Sequence, residues 1–368
     1  MSLKPAILGG VPAFTEPVPF TSPTLPPFGE LEGGFRSIIE SGMLTKGSYL
    51  HEYEKLACDL LGVSHACGTA NCTLGIFTVI KALGLTGSVI VPSFSFMATF
   101  NASEAAGLRL IFVDCEPDTF TIDVKKAEAA IEPDTSAIIG VNIFGNPPDI
   151  EALENLSKKH GIALIIDSAH SFGTLYNGHP MGGHGDAEVF SSSPTKLLAT
   201  GEGGLITTNR ADLYEFVTAY REYGKAGNYD CIMPGLNCRM SELHAFMGYK
   251  ILPYVDGFAL ARNKTVLLYM ENLKNIPGIT FQKIRYNCRS SYKDFAIVID
   301  PEKFGMPAGY LAEALSYEKV ETRRYFNPPG HRLTCYNKYR DKYLYELKNT
   351  DYLADNLLNL PISSHMPQ

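Results

Sequence analysis

The sequence predicts an α/β protein: a mostly parallel sheet covered by helices in a large N-terminal part, followed by a smaller α+β part. Three observations carry this. Short apolar runs recur at residues 89–91, 109–113, 136–141, 162–166, 187–190 and 204–208. Helical spacing of apolar residues lies between several of them, at 71–83, 124–131 and 150–160. The runs do not alternate with polar residues, as expected of strands buried on both faces.

Taken in order, residues 1–27 are proline-rich and read as an extended arm that can lie over a neighbour. Residues 28–41 and 50–61 have helical periodicity, the second ended by Gly62. Residues 64–67 read as a strand, and Gly68-Thr69-Ala70-Asn71 opens the next helix. The alternating series then runs to about Arg239. Residues 241–273 form a long helical pattern broken at Pro253, bridging to the second part. There, 295–299 and 319–323 read as strands and 309–316 and 351–357 as helices. The domain division expected is therefore 1–240, the large part with its arm, and 241–368, the linking helix and small part. No internal repeat or heptad pattern is present.

Composition excludes several classes. With 45% hydrophobic and 19% charged residues, the chain has a globular composition. Its 32 Lys and Arg against 39 Asp and Glu leave a net charge of −7, and no basic cluster offers a face for nucleic acid. The eight cysteines form no CxxC pair and no zinc-type spacing with histidine, so free thiols and no metal site are expected. Residues 1–27 lack the apolar centre of a signal peptide, and no stretch approaches the ~20 apolar residues of a membrane span. The expectation is a soluble, cytoplasmic protein.

The chemistry concentrates between residues 164 and 208. An apolar strand ends at Asp167, and a carboxylate at the C-terminal end of a parallel strand faces the crevice where α/β sheets bind ligands. Twenty-nine residues on comes Lys196, in Ser191-Ser192-Ser193-Pro194-Thr195-Lys196, then Gly201-Glu202-Gly203-Gly204. Its neighbours are small, hydroxylated or apolar rather than charged. A desolvated amine is a competent nucleophile for a carbonyl. Pyridoxal phosphate enzymes need such a lysine together with an acid for the ring nitrogen, here Asp167. Spacing alone is explained equally well by a structural carboxylate and an incidental lysine. A phosphate cradle is the third requirement. Small residues at 68–71 before a helix suit an anion, with hydroxyls from Thr69 and Ser191. By itself, Gly68-Thr69 is more simply a strand-to-helix turn. Phe96, in Pro92-Ser93-Phe94-Ser95-Phe96, can stack on a flat ring, although an aromatic there is more often core packing.

Taken together, these segments resemble the DegT/StrS-type nucleotide-sugar aminotransferases, pyridoxal-phosphate-dependent enzymes of fold type I. The resemblance spans nearly the whole chain. It rests on "ILGGVP", "YLHEYEKLACDLLGVSHACGTANCTLGI", "SVIVPSFSFMATFNASEAAGLRLIFVDCEPDTFTID", "IIDSAHSFGTLYNG", "GDAEVFSSSPTKLLATGEGGLITTN", "GLNCRMSELHAFMG" and "ETRRYFNPPGH". The lysine block followed by GEGG is the most specific and the opening block the least.

The resemblance implies that Lys196 holds the cofactor as a Schiff base and shuttles the proton, while Asp167 pairs with the pyridinium nitrogen. It puts His170 near the ring hydroxyl, Phe96 on the ring face, and Thr69, Ala70 and Ser191 at the phosphate. Asn237 would reach the phosphate in the neighbouring subunit, which makes a homodimer part of the design. Tyr325 and His331 lie where relatives often contact substrate. The implied reaction moves an amino group from glutamate or glutamine to a keto sugar linked to a nucleoside diphosphate. A cyclitol or aminoshikimate-type transaminase, and a non-catalytic pyridoxal-phosphate-binding regulator, are the alternatives.

Three departures from the family pattern stand out. Cys67 replaces the usual Ser before Gly-Thr, Ser192 and Ser193 stand where an aromatic or His is common, and the chain stops soon after "LPISSHM". Lys196 argues against the dehydrating branch, which carries His at that position.

Overall fold

The computed structural model describes residues 4–225, 227, 229–339 and 346–366. Two helices lead in, α1 (Phe28–Ser41) and α2 (Ser48–Leu61), ended by Gly42 and Gly62 in the left-handed conformation. The alternating series follows: β1 (His65–Thr69), α3 (Cys72–Ala82), β2 (Ser88–Pro92), α4 (Met97–Ala105), β3 (Arg109–Val113), α5 (Val124–Ala129), β4 (Thr135–Val141), α6 (Ile150–His160) and β5 (Ala163–Asp167). A short ribbon, β6 (Leu175–Tyr176) and β7 (His179–Pro180), precedes β8 (Ala187–Ser191), β9 (Gly204–Thr208) and α7 (Ala211–Tyr220).

The main sheet has seven strands in the order β1-β9-β8-β5-β4-β2-β3. The pairs from β3 across to β8 are parallel, whereas β9 runs antiparallel to both β8 and β1. Strand alternation explains the unbroken apolar runs. Val89, Val91, Leu110, Ile139, Ile165 and Val189 belong to one apolar cluster. Their sequence neighbours Ile90, Ile111, Ile138, Leu164, Ile166 and Phe190 belong to a second. Successive side chains leave opposite faces of the sheet, and helices cover both.

At the β1 edge the expected boundary moves. Thr69 is the last residue of β1 rather than the start of a helix, and it bridges to Arg239 while Ala70 N–H donates to Cys238 O at 2.8 Å. Pairing of Gly68 and Thr69 with Leu205 and Gly204 of β9 carries the strand on, and the bridge to Arg239 occupies its outer edge. The helix starts at Cys72, three residues after the strand ends, with its cap Asn71 accepting from Leu74 N–H at 2.9 Å.

Beyond the sheet, Ser241 caps α8 (Glu242–Ile251), whose Glu242 carboxylate accepts the amides of Gly47, Tyr49 and Leu50 at the start of α2. Pro253 breaks the pattern as expected, through a 3-10 turn, Leu252–Tyr254, before α9 (Val255–Leu273). The second sheet has β12 (Phe295–Ile299) between β10 (Ile279–Phe281) and β13 (Leu357–Leu360), all antiparallel, and a two-residue strand, β11 (Cys288–Arg289), joins β6. Helices α10 (Pro301–Phe304), α11 (Ala308–Tyr317) and Lys348–Asn356 complete this part.

One expectation fails here, and one boundary shifts. Residues 319–323 form no strand: Val320 makes a single bridge to Val18 of the arm and Arg323 one to Asn359. The helix expected at 351–357 is present and ends at Asn356, where the chain turns into β13: its residues pair with β12, Leu358 and Leu360 packing into the Val266–Phe295 cluster and Leu357 into the main core.

Candidate functional site

The C-terminal ends of β5 and β8 open on a cavity of about 550 Å³. It is lined by residues 71–74, Phe96, Ala98, Asp167, Ala169, His170, Ser191, Ser193, Lys196 and Glu202. Each side chain arrives for a local reason. Asp167 ends β5 and Ser191 ends β8, neighbouring strands in the sheet. Lys196 lies in the loop between β8 and β9, which is tied by Thr200: its hydroxyl donates to Glu202 O at 2.8 Å and lies 2.9 Å from Ser192 Oγ. Phe96, just before α4, is 49% exposed although it is a large aromatic, so its ring face is available to a flat ligand.

The electrostatics are those of a buried amine facing a buried acid. Burial, reinforced by the Lys293 ammonium, lowers the Lys196 amine from 10.5 to about 8. Burial raises the Asp167 carboxyl; the Thr99 hydroxyl at 2.6 Å, the Ala169 N–H at 3.1 Å and Lys196 oppose that rise. His170 accepts from Phe144 N–H on Nδ1 at 3.1 Å, and burial pushes the ring well below its ordinary value. The imidazole is therefore neutral, with its proton on Nε2.

The end of the cavity that suits an anion is built from α3. The Leu74 amide is taken by Asn71, but Cys72 and Thr73 sit in the first turn, where a helix has no acceptors of its own for its N–H groups. The glycines of the GEGG turn let β9 reach this point. A Cβ on Gly204 would lie 2.6 Å from Asn71 C and 2.7 Å from Cys72 N, and one on Gly203 would lie 2.3 Å from Ser192 Oγ. Gly68 serves packing instead: its N–H donates to Glu54, its carbonyl accepts from Arg221, and a Cβ would meet Leu50 at 2.8 Å.

Of the residues singled out in the sequence, Phe96, Asp167, His170, Ser191 and Lys196 come together in this cavity. Thr69 and Ala70 lie just before α3, outside the lining; the Thr69 hydroxyl donates to Asn71 O at 3.1 Å. Asn237 is exposed in the segment that borders β1. Tyr325 is partly buried, stacked on Phe326. His331 is buried, with Nδ1 2.8 Å from Ser93 Oγ and Nε2 3.1 Å from Asp351. Of the two unusual serines, Ser193 lines the cavity and Ser192 is buried beneath the loop. Sequence reasoning missed Cys72, Thr73, Glu202 and Thr99. Their side-chain types are ordinary: the approach of α3 and α4 to β5 brings Cys72 and Thr99 onto Asp167, while Thr73 and Glu202 reach the cavity from the start of α3 and from the β8–β9 loop.

An amine, a carboxylate, a neutral imidazole, an exposed phenyl ring and free helix amides suit a phosphorylated aromatic aldehyde: the donor set fits pyridoxal phosphate. Comparison with known proteins agrees with this chemistry. A dTDP-4-amino-4,6-dideoxy-D-glucose transaminase of Shigella dysenteriae is 31% identical over 357 residues, 95% of this chain and 95% of that protein. The enzyme of the same name from Escherichia coli is 32% identical over 349 residues, 94% of this chain and 93% of that one. The crystal structure of DesI in the presence of its TDP-sugar product superposes with a TM-score of 0.92 at 33% identity, covering 98% of this chain and 92% of that one. The sequence profile of the DegT/DnrJ/EryC1/StrS aminotransferase family matches residues 30–368. The chain is an aminotransferase and belongs to the DegT/DnrJ/EryC1/StrS aminotransferase family.

Proposed function

We propose that this aminotransferase uses pyridoxal phosphate bound at Lys196 to move an amino group from glutamate or glutamine to a nucleoside-diphosphate-linked keto sugar, in amino-sugar biosynthesis. The observation that carries the reading is the lowered Lys196 amine sharing one cavity with the Asp167 carboxylate. Similarity to transaminases named for a dTDP-linked amino sugar supports the substrate class. When bound, the cofactor supplies an aldehyde carbon that accepts the amino group and a ring that takes up electrons.

The chain's own groups do the rest. Lys196 Nζ, neutral in a useful fraction of molecules at pH 7, would take the proton from the carbon bearing the amine and deliver it to the carbon that was the cofactor's aldehyde. The Asp167 carboxylate, held by Thr99, holds a proton on the ring nitrogen. His170 offers its Nε2–H to an oxygen on the ring. Phe96 covers one ring face, and the amides of Cys72 and Thr73 with the Ser191 hydroxyl receive the phosphate. Asn237 belongs, in this reading, to the phosphate site of a second subunit. Its exposure, beside exposed Tyr223, Ile232 and Leu236, suits a surface that a partner subunit covers.

The test is direct. Borohydride treatment of protein loaded with pyridoxal phosphate should fix the cofactor on the peptide containing Lys196, and Lys196→Ala should abolish both fixation and turnover. Turnover at the wild-type rate in that variant would end the proposal. Nucleotide keto sugars, rather than cyclitol ketones, should consume the aminated cofactor. Mixing Lys196→Ala with Asn237→Ala subunits should restore part of the activity, because a mixed dimer contains one intact site. No recovery in a dimer shown to exchange subunits would remove Asn237 from the shared site.

A further inference from the structure

The loop that carries Phe96 to the cavity is held by a residue that the reaction above does not use. Ser93, Phe94, Ser95 and Phe96 join β2 to α4; the first three are buried and Phe96 is half-exposed. The Ser93 hydroxyl meets His331, and the Ser95 hydroxyl lies 3.1 Å from the Thr99 hydroxyl. Thr99 spends its only hydroxyl proton on Asp167 Oδ2, so Ser95 is the donor in that contact. Four consecutive residues thus connect His331 to Phe96 and to the group that holds Asp167.

The His331 end of the loop is fully bonded. Nδ1 lies 2.8 Å from Ser93 Oγ, and the His331 N–H donates to the same oxygen at 3.0 Å. Gly330 N–H donates to Ser93 O at 2.9 Å, and Ser93 N–H donates to Val113 O of β3 at 2.9 Å. On the far side of the ring, Nε2 lies 3.1 Å from Asp351 of the helix Lys348–Asn356, and Arg332 lies 2.6 Å from the same carboxylate. A carboxylate beside Nε2 favours the proton there, which leaves Nδ1 to accept from the Ser93 hydroxyl. Gly330 admits no side chain, since a Cβ would lie 2.6 Å from the Phe100 ring. Earlier in the same segment, Phe326 packs on Phe94 and Phe96, with ring centres 5.5 and 6.4 Å apart. Aspartate, histidine and serine in line would suit a nucleophile, but Ser93 has no exposed surface and attacks nothing. A buried polar network whose members are all bonded fixes one arrangement of the chain around it.

We propose that His331 is a positioning residue: through Ser93 it sets the β2–α4 loop so that Phe96 faces the cavity and Ser95 keeps Thr99 on Asp167. The proposal rests on the reading of this cavity as the pyridoxal phosphate site. The imidazole is 3% exposed and both ring nitrogens are engaged, so it acts through the loop and not by touching substrate.

The experiment compares Ser93→Ala, His331→Leu, the double variant and His331→Asn with wild type. Asparagine places an amide oxygen as many bonds from the backbone as Nδ1, so it keeps an acceptor for Ser93 and loses only the contact with Asp351. Cofactor affinity is read by absorbance titration, and ring orientation by circular dichroism of the cofactor band. Hydrogen exchange of residues 94–99 in the apoprotein, with β5 as control, reads the loop without cofactor or turnover. Ser93→Ala and His331→Leu should each weaken cofactor binding by about three- to tenfold, the range of one neutral hydrogen bond, and speed exchange in 94–99 by a similar factor with β5 unchanged. The double variant should resemble Ser93→Ala, because both changes break the same bond. His331→Asn should stay within about twofold of wild type, since the bond to Ser93 survives. A network with only a structural role would lower the melting temperature and leave cofactor affinity and dichroism unchanged, and that result overturns the proposal. So does a raised KM for the keto sugar at unchanged cofactor affinity, the mark of a substrate contact. If His331→Leu does not fold, Ser93→Ala set against His331→Asn decides the matter. If borohydride fixes no pyridoxal phosphate on Lys196, the proposed function fails, while exchange of 94–99 in the apoprotein still shows whether His331 holds the loop.

Discussion

The lysine amine illustrates how one residue's chemistry depends on its surroundings. Lowering it from 10.5 to about 8 raises the neutral fraction at pH 7 by roughly 300-fold and corresponds to about 3 kcal/mol between its two protonation states. Capture of an aldehyde by the apoprotein should accelerate as pH rises through about 8 and then level off, as stopped-flow absorbance would show. The acid opposite depends on Thr99, whose hydroxyl donates to Asp167 Oδ2 at 2.6 Å. Thr99→Val should raise the Asp167 carboxyl further. Because a carboxylate's contribution is lost as pH falls through its folded-state value, cofactor affinity should disappear at a higher pH in the variant. A hydrogen bond to a charged group contributes about 1.5–3 kcal/mol, so a cofactor titration at pH 7 should show binding weaker by about tenfold or more. Both Asp167 and Lys196 are legible in the sequence, one by ending an apolar strand and the other by its uncharged neighbours. Thr99 is not, because nothing in "FMATFNASEA" distinguishes a threonine that reaches a carboxylate from one that packs.

At the scale of elements, the junction of β1, α3 and β9 shapes the end of the cavity proposed to take the phosphate. Gly204 lies where any side chain would strike the backbone of Asn71 and Cys72. Backbone cannot move aside as a flexible side chain can. Gly204→Ala should therefore destabilise the protein by about 1–3 kcal/mol and reduce cofactor affinity, read by denaturant unfolding and cofactor titration respectively. An unchanged affinity would show that the α3 amides do not hold the phosphate. Strand and helix positions in the main sheet follow closely from apolar periodicity, because strands buried on both faces carry a strong signal. The join at Thr69–Asn71 does not, because the extra strand residues Gly68 and Thr69 come from pairing with Leu205 and Gly204 of β9, with Arg239 and Cys238 adding a bridge to Thr69 and a bond to Ala70, all far away in sequence. β13 escapes for a related reason: "LLNL" continues the apolar content of the helix before it, and only its place beside β12 makes it a strand.

For the whole molecule, the buried amine links function to stability. Because the folded-state value of Lys196 is lowered, the unfolded chain binds more protons between about 8 and 10.5, and this group's contribution to stability rises with pH across that window. Lys196→Met removes the cost of burying an ammonium. Apoprotein of that variant should melt at a higher temperature than wild type below pH 8, and the difference should narrow towards pH 10.5. Calorimetry of both proteins across that range checks the sign, and a difference independent of pH would mean that the amine is not held in a low-dielectric site.

The sequence by itself determined the α/β class, the order of the main strands and helices along the chain, and the two residues whose types point to an amine and acid chemistry. These are local properties, carried by periodicity and by immediate neighbours. Only the tertiary structure decided which side chains surround that pair: Thr99 and Cys72 beside the cavity, Lys293 and Asp294 behind it, and Val320 pairing with the arm in place of a strand. Those contacts join segments scores to hundreds of residues apart, and no local pattern specifies a neighbour that the fold alone brings near.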